Sequence, residues 1–236
     1  MLGARLLSQK LVLMAALLAV GLSACGAAEN KLPTNEPLSL DSASSSTLAG
    51  EGEPFYTEEW DELNPNWRWF LERGEESEFE LYAEDGQLAW QLSATYVWLY
   101  VTYEPHSYAD VAVETHVRNW GTNNNNVSLV CRYNERGWYE FNVANSGLYW
   151  IYRYQANNNE FVQLYNGGSE NIKVGVGENT YQAVCDGHEL TLFINGEHIR
   201  TVTDLYHQEG QVGVGVSSFD IAPVEITMDY ITISEP

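Results

Sequence analysis

The sequence predicts an all-β protein, a two-sheet antiparallel β-sandwich, and three observations carry that prediction. Apolar residues recur at every second position in five separate runs: Leu88/Trp90/Leu92, Val111/Val113/Thr115/Val117, Tyr139/Phe141/Val143, Leu190/Leu192/Ile194 and Val212/Val214/Val216. Between such runs stand Asp85-Gly86, Asp186-Gly187 and Asn195-Gly196, dipeptides that accept the positive φ needed at both central residues of a type I′ hairpin turn. No segment sustains a helical period. Short strands joined in this way make a sandwich or a barrel, and the length of the stretch 51–236 favours the sandwich.

The chain opens differently. Arg5 and Lys10 precede the apolar run Leu11 to Leu22, which is short for a spanning helix, and small residues then lead to Cys25. The run Leu22-Ser23-Ala24-Cys25 resembles the lipobox of bacterial lipoproteins. That resemblance implies removal of residues 1–24 and a diacylglycerol on Cys25 as the new N-terminus. It also implies an extracytoplasmic domain held to a bacterial membrane through its lipid anchor only. At about 0.8 kcal/mol per buried methylene, two acyl chains anchor stably where one is marginal. Residues 25–50 then read as the lipidated cysteine and a flexible tether, rich in Ser, Ala, Pro and Asn and including Ser42-Ala43-Ser44-Ser45-Ser46-Thr47. A chain of that composition reaches roughly 25–30 Å on average. No second Pro/Gly/Ser-rich break follows, so residues 51–236 are expected to form one domain.

Charge narrows the partners. The chain carries 33 acidic and 11 basic residues, a formal net charge of −22, and loss of residues 1–24 removes only two basic ones. Nucleic acid is excluded as a partner, because phosphate binding needs clustered Lys and Arg. Acids are dense between Glu51 and Asp85, where Arg68 and Arg73 are the only bases. A solvated acidic face explains this, and attraction of a divalent cation is the sharper alternative. With Cys25 assigned to lipid, Cys131 and Cys185 remain as an even pair and are expected to form a disulfide, two buried free thiols being the other reading.

A family resemblance covers most of residues 54–234. Tyr181 to Gly196, with its Asp186-Gly187-His188-Glu189-Leu190 centre, is similar to the penultimate hairpin of concanavalin A-like (laminin-G-like) jelly rolls. Gly210 to Val216 and the closing strand Val224 to Ile233, with Met228-Asp229-Tyr230, continue the likeness. Trp60 to Trp67 followed by Asp85-Gly86-Gln87-Leu88 resembles the opening of the same domains. The branch most resembled is that of the 3-keto-disaccharide hydrolase-like and xylanase accessory domains. The resemblance implies two curved sheets, a sugar-binding concave face, and a structural calcium for which Asp229 is the candidate ligand; no cofactor is required. A fold does not imply a function, so the site needs its own argument.

Catalytic motifs are wanting. Laminarinase-type relatives of this fold carry Glu-x-Asp-x-x-Glu on one strand, spaced for retaining hydrolysis. The nearest match, Glu59-Trp60-Asp61-Glu62-Leu63-Asn64, ends in Asn and lies in the opening segment, so it is not assigned to catalysis. Glu225 and Asp229 share a face of the last strand, as surface carboxylates often do. The histidines at 106, 116, 188, 198 and 207 show no zinc-ligand spacing. No Gly-x-Ser-x-Gly elbow or phosphate loop occurs. The runs Asn123 to Asn126 and Asn157 to Asn159 suit turns, and Asn126-Val127-Ser128 matches a glycosylation acceptor that a bacterial lipoprotein would not use.

The positive signal is a division of labour between strand faces. Trp98 and Tyr100 oppose Val97, Leu99 and Val101; Trp138, Glu140 and Asn142 oppose Tyr139, Phe141 and Val143; Trp150, Tyr152 and Tyr154 share one face. With Arg132, these nine residues are the candidate ligand-binding set, flat rings serving pyranose faces and fixed polar groups serving hydroxyls. Strand parity leaves core packing as the alternative, since it does not say which side meets the second sheet. The resulting expectation is a monomeric, non-catalytic, lectin-like module for a glycan or other cell-envelope component. A protein-interaction module and a glycosidase using Glu140 with Glu114 are the other classes.

Overall fold

The computed structural model describes residues 52–121 and 124–236. Its strands are β1 (Tyr56–Glu58), β2 (Trp67–Arg73), β3 (Phe79–Glu84), β4 (Gln87–Leu92), β5 (Trp98–Tyr108), β6 (Val111–Asn119), β7 (Asn125–Asn134) and β8 (Gly137–Ala144). They continue as β9 (Leu148–Gln155), β10 (Glu160–Gly168), β11 (Gly177–Asp186), β12 (Glu189–Ile194), β13 (Glu197–Thr203), β14 (Gly210–Ser218) and β15 (Val224–Ser234). One sheet, A, has the order β10-β9-β8-β7-β14-β5-β2; the other, B, has the order β13-β12-β11-β6-β15-β4-β3, with β1 added beside β15. Every pairing is antiparallel. The two-sheet sandwich predicted from alternation is the observed architecture.

The alternating apolar sets meet between the sheets. Leu99, Val101, Leu129, Phe141, Val143, Val212, Val214 and Val216 from sheet A pack in one cluster with Leu88, Trp90, Val113, Leu190, Leu192, Ile226 and Ile231 from sheet B. Each such side chain contributes about 1.5–3 kcal/mol on burial, which is what pins the strand register. Cys131 on β7 and Cys185 on β11, both fully buried, form the expected disulfide and tie sheet A to sheet B with a Cα–Cα distance of 6.7 Å.

Two of the three hairpin turns are as predicted. Asp85-Gly86 and Asn195-Gly196 both show positive φ at each residue, between the pairs Glu84↔Gln87 and Ile194↔Glu197. The third is shifted by one residue. Asp186 pairs with Glu189 inside the ladder, so the turn is Gly187-His188, and only Gly187 has positive φ, at 52°. That is the requirement of a type II′ turn, which places Gly first.

Candidate functional site

The two outer faces of the sandwich differ in chemistry. Sheet B turns Glu114, His116, Arg118, Thr180, Gln182 and Thr232 outward, as expected of a sheet face in water. Sheet A instead turns aromatic rings outward. Tyr100, Val130, Trp138 and Tyr154 form a buried cluster separate from the inter-sheet core, and Phe70, Trp98, Tyr133 and Phe161 pack half-buried around it. Ladder register brings the predicted residues together: Trp138 faces Tyr154, Glu140 faces Tyr152, and Asn142 faces Trp150 across β8 and β9. Eight of the nine candidates, Trp98, Tyr100, Trp138, Glu140, Asn142, Trp150, Tyr152 and Tyr154, therefore share this face.

Arg132 is the exception and is corrected. A positive φ of 55° and a break in the β7–β8 register take it out of the alternation. Its guanidinium is buried at one end of the sandwich, donating to the carbonyls of Ala109 (2.8 Å), Gly187 (2.9 Å) and His207 (3.1 Å). Asp110 lies 3.5 Å away as its ion-pair partner. Arg132 staples three loops and offers nothing to a ligand.

The floor of the face is built around Glu140. On β14, Gly215 lies between Tyr100 and Ser128, and a Cβ there would stand 2.5 Å from the Tyr100 ring. Without that atom the ring lies flat over β14, and its hydroxyl reaches Glu140 Oε1 at 3.0 Å. Asn142 Nδ2 donates to the same oxygen at 2.6 Å and Trp138 Nε1 to Oε2 at 2.8 Å. The Ser128 hydroxyl stands 2.9 Å from Glu140 Oε1 and 3.0 Å from Asn142 Oδ1, and its single proton serves one at a time. Burial pushes the Glu140 carboxyl above its ordinary range, and these donors oppose the rise, Trp138 foremost.

Glu140 is 1% exposed although it points away from the core. The cause is curvature. In a flat sheet β10 and β5 would lie about 24 Å apart. Here Phe161 on β10 packs edge-on against Trp98 on β5 with ring centres 5.8 Å apart. Likewise the Tyr154 hydroxyl on β9 reaches Glu72 Oε1 on the far edge strand β2 at 2.9 Å, with Asn159 Oδ1 an alternative acceptor at 3.0 Å. The lips of the sheet meet over its middle, leaving Trp98, Trp150, Tyr152 and Phe161 half-buried at the surface above a polar floor of Asn126, Ser128 and Asn142.

Other predicted residues fall elsewhere. Glu114 lies on the outer face of sheet B, accepting from the Tyr230 hydroxyl at 2.9 Å, so the whole sandwich separates it from Glu140 and the pair cannot act together. Asp229 occupies a bulge in β15, where both carboxylate oxygens receive N–H donors: Gln87 Nε2 and His116 Nδ1, each at 2.5 Å. Among the described residues no three His, Cys, Asp or Glu side chains converge. Both Asp229 oxygens are engaged by N–H donors of the protein itself. Cys25 and the tether lie outside the described residues. Sequence reasoning missed Phe70, Glu72 and Phe161; the first two were legible in β2, where Arg68, Phe70 and Glu72 alternate with Trp67, Trp69 and Leu71.

This geometry defines a class: a concanavalin A-like jelly-roll sandwich with an aromatic outer face. No family model and no curated protein matches the chain. Among solved structures, the chain is similar to a lichenase derived from a mouse hindgut metagenome, with a TM-score of 0.58 and 10% identity over 78% of this chain and 100% of that one. A β-glucanase of Bacillus licheniformis gives 0.57 and 10%, covering 78% and 99% of the respective chains. The carbohydrate-binding module CBM66 of Bacillus subtilis gives 0.53 and 13%, covering 71% and 95%. At these identities the likeness is one of fold.

Proposed function

We propose that the outer face of sheet A binds a glycan without cleaving it, on a domain tethered outside the cell through a lipidated Cys25. The observation that carries this reading is the aromatic outer face itself. A sheet face left to water normally carries polar alternation, yet this one exposes half-buried Trp98, Trp150, Tyr152 and Phe161 beside the amides of Asn126 and Asn142. Rings take the apolar faces of pyranoses, and the Asn126 amide is placed to take a hydroxyl. The layer beneath is held by the hydrogen bonds of Tyr100, Ser128, Trp138 and Asn142 around Glu140, which lowers the ordering cost of binding.

Non-catalytic binding is supported by the state of Glu140. Hydrolysis with retention needs a second carboxylate about 5–5.5 Å away and an oxygen free for the sugar. Both Glu140 oxygens are already held by neighbouring donors. The test is a glycan array probed with the full chain and with Trp150→Ala, alongside turnover assays on β-glucan and xylan. Selective binding lost in the variant at unchanged melting temperature is the expected result. A blank array moves the assignment to a protein partner, and turnover moves it to hydrolases.

A further inference from the structure

Glu72 and Glu140 lie on one face, and among the described residues neither has an ion-pair partner. Burial pushes the Glu72 carboxyl up, the Tyr154 hydroxyl opposes this, and the neighbouring Glu140 charge adds to it. Among the described residues the ion pairs are Arg68–Glu104, His116–Asp229, Arg118–Glu178, Arg132–Asp110 and Arg153–Asp204, none of which involves either carboxylate.

The surrounding side chains are rings. Trp138 and Tyr154 have centres 4.1 Å apart, Tyr154 and Phe161 4.6 Å, and Phe161 and Trp98 5.8 Å. Ring faces carry negative potential and attract ammonium groups. One ring already takes a cation from its flank: the Arg73 guanidinium carbon stands 5.6 Å from the Trp98 ring centre. The net charge of −22 adds a long-range field that draws cations in and repels uronates and phosphates.

We propose that this face selects glycans bearing a protonated amino group, with half-buried Glu72 meeting the ammonium and Trp98 and Phe161 flanking it. The assignment rests on the reading of sheet A as a glycan face. A neutral or N-acetylated sugar leaves half-buried Glu72 with only the Tyr154 hydroxyl against its charge, whereas an ammonium group adds an opposite charge beside it.

The experiment titrates oligomers of glucosamine and of N-acetylglucosamine, equal in length, into the full chain at a pH that keeps the amine charged, read by tryptophan fluorescence. The charged oligomer is expected to bind about tenfold tighter or more, the worth of one hydrogen bond to a charged group. Glu72→Gln, whose amide oxygen still accepts from Tyr154, is expected to abolish that preference. Equal binding of the two oligomers by the unaltered chain overturns the ammonium assignment and leaves the glycan reading standing. So does a preference that persists in Glu72→Gln, which would trace it to bulk charge. If neither oligomer binds while the array reports another glycan, the assignment alone falls; a blank array removes both.

Discussion

Trp138→Phe tests the central feature of the face, a buried carboxylate held by its own sheet. Trp138 Nε1 donates to Glu140 Oε2 at 2.8 Å, whereas the contacts of Tyr100, Ser128 and Asn142 gather on Oε1. Phenylalanine keeps a ring in place and leaves Oε2 buried without its donor. Losing a hydrogen bond to a charged group costs about 1.5–3 kcal/mol. In a domain of this size that lowers the melting temperature by about 3–12 °C. The effect must depend on pH. The folded-state pKa of Glu140 is raised above its ordinary 4.5, so the folded chain holds that proton more tightly than the unfolded one. The stability this contributes is full below about pH 4.5 and is lost as pH rises through the raised folded value. Removing the foremost opposing donor raises that value further. Thermal unfolding followed by circular dichroism at pH 5 and pH 8 should therefore show a larger loss for Trp138→Phe at pH 8. A loss of equal size at both pH values would refute the reasoning, because it would reflect ring volume alone.

Three further outcomes follow from the same geometry. Gly215→Ala places a methyl 2.5 Å from the Tyr100 ring and should destabilise by about 1–3 kcal/mol in urea unfolding. An unchanged midpoint would mean that Tyr100 need not lie over β14. Arg132→Ala strands the carbonyls of Ala109, Gly187 and His207, and should cost about 3 kcal/mol or more while any glycan bound by the unaltered chain is still bound. Loss of binding at unchanged stability would return Arg132 to the site. Cys131→Ser/Cys185→Ser opens a sequence separation of 54 residues and should lower stability by about 4 kcal/mol in the chain-entropy account. A loss below about 1 kcal/mol would show that the core alone holds the sheets together.

The sequence by itself determined the sandwich, its inward faces and most of its outward aromatic set. Alternation with period two is a local property, so Leu99 and Val101 against Trp98 and Tyr100 could be read before any strand was paired. Two type I′ turns were equally local, because Asp-Gly and Asn-Gly state their own dihedral needs. Tertiary structure decided what depends on partners. It put Glu114 and Glu140 on opposite sheets, a fact of strand order rather than strand parity. A bulge and a positive φ turned Arg132 out of its apparent place in the alternation. Curvature of sheet A decided the rest: it carried Phe161 onto Trp98 and Tyr154 onto Glu72, residues of opposite edges that no spacing along the chain connects. The same curvature made Trp138 and Glu140 a buried support and left Trp98, Trp150 and Tyr152 at the surface, because a sheet that rolls over its own outer face buries the middle and spares the lips.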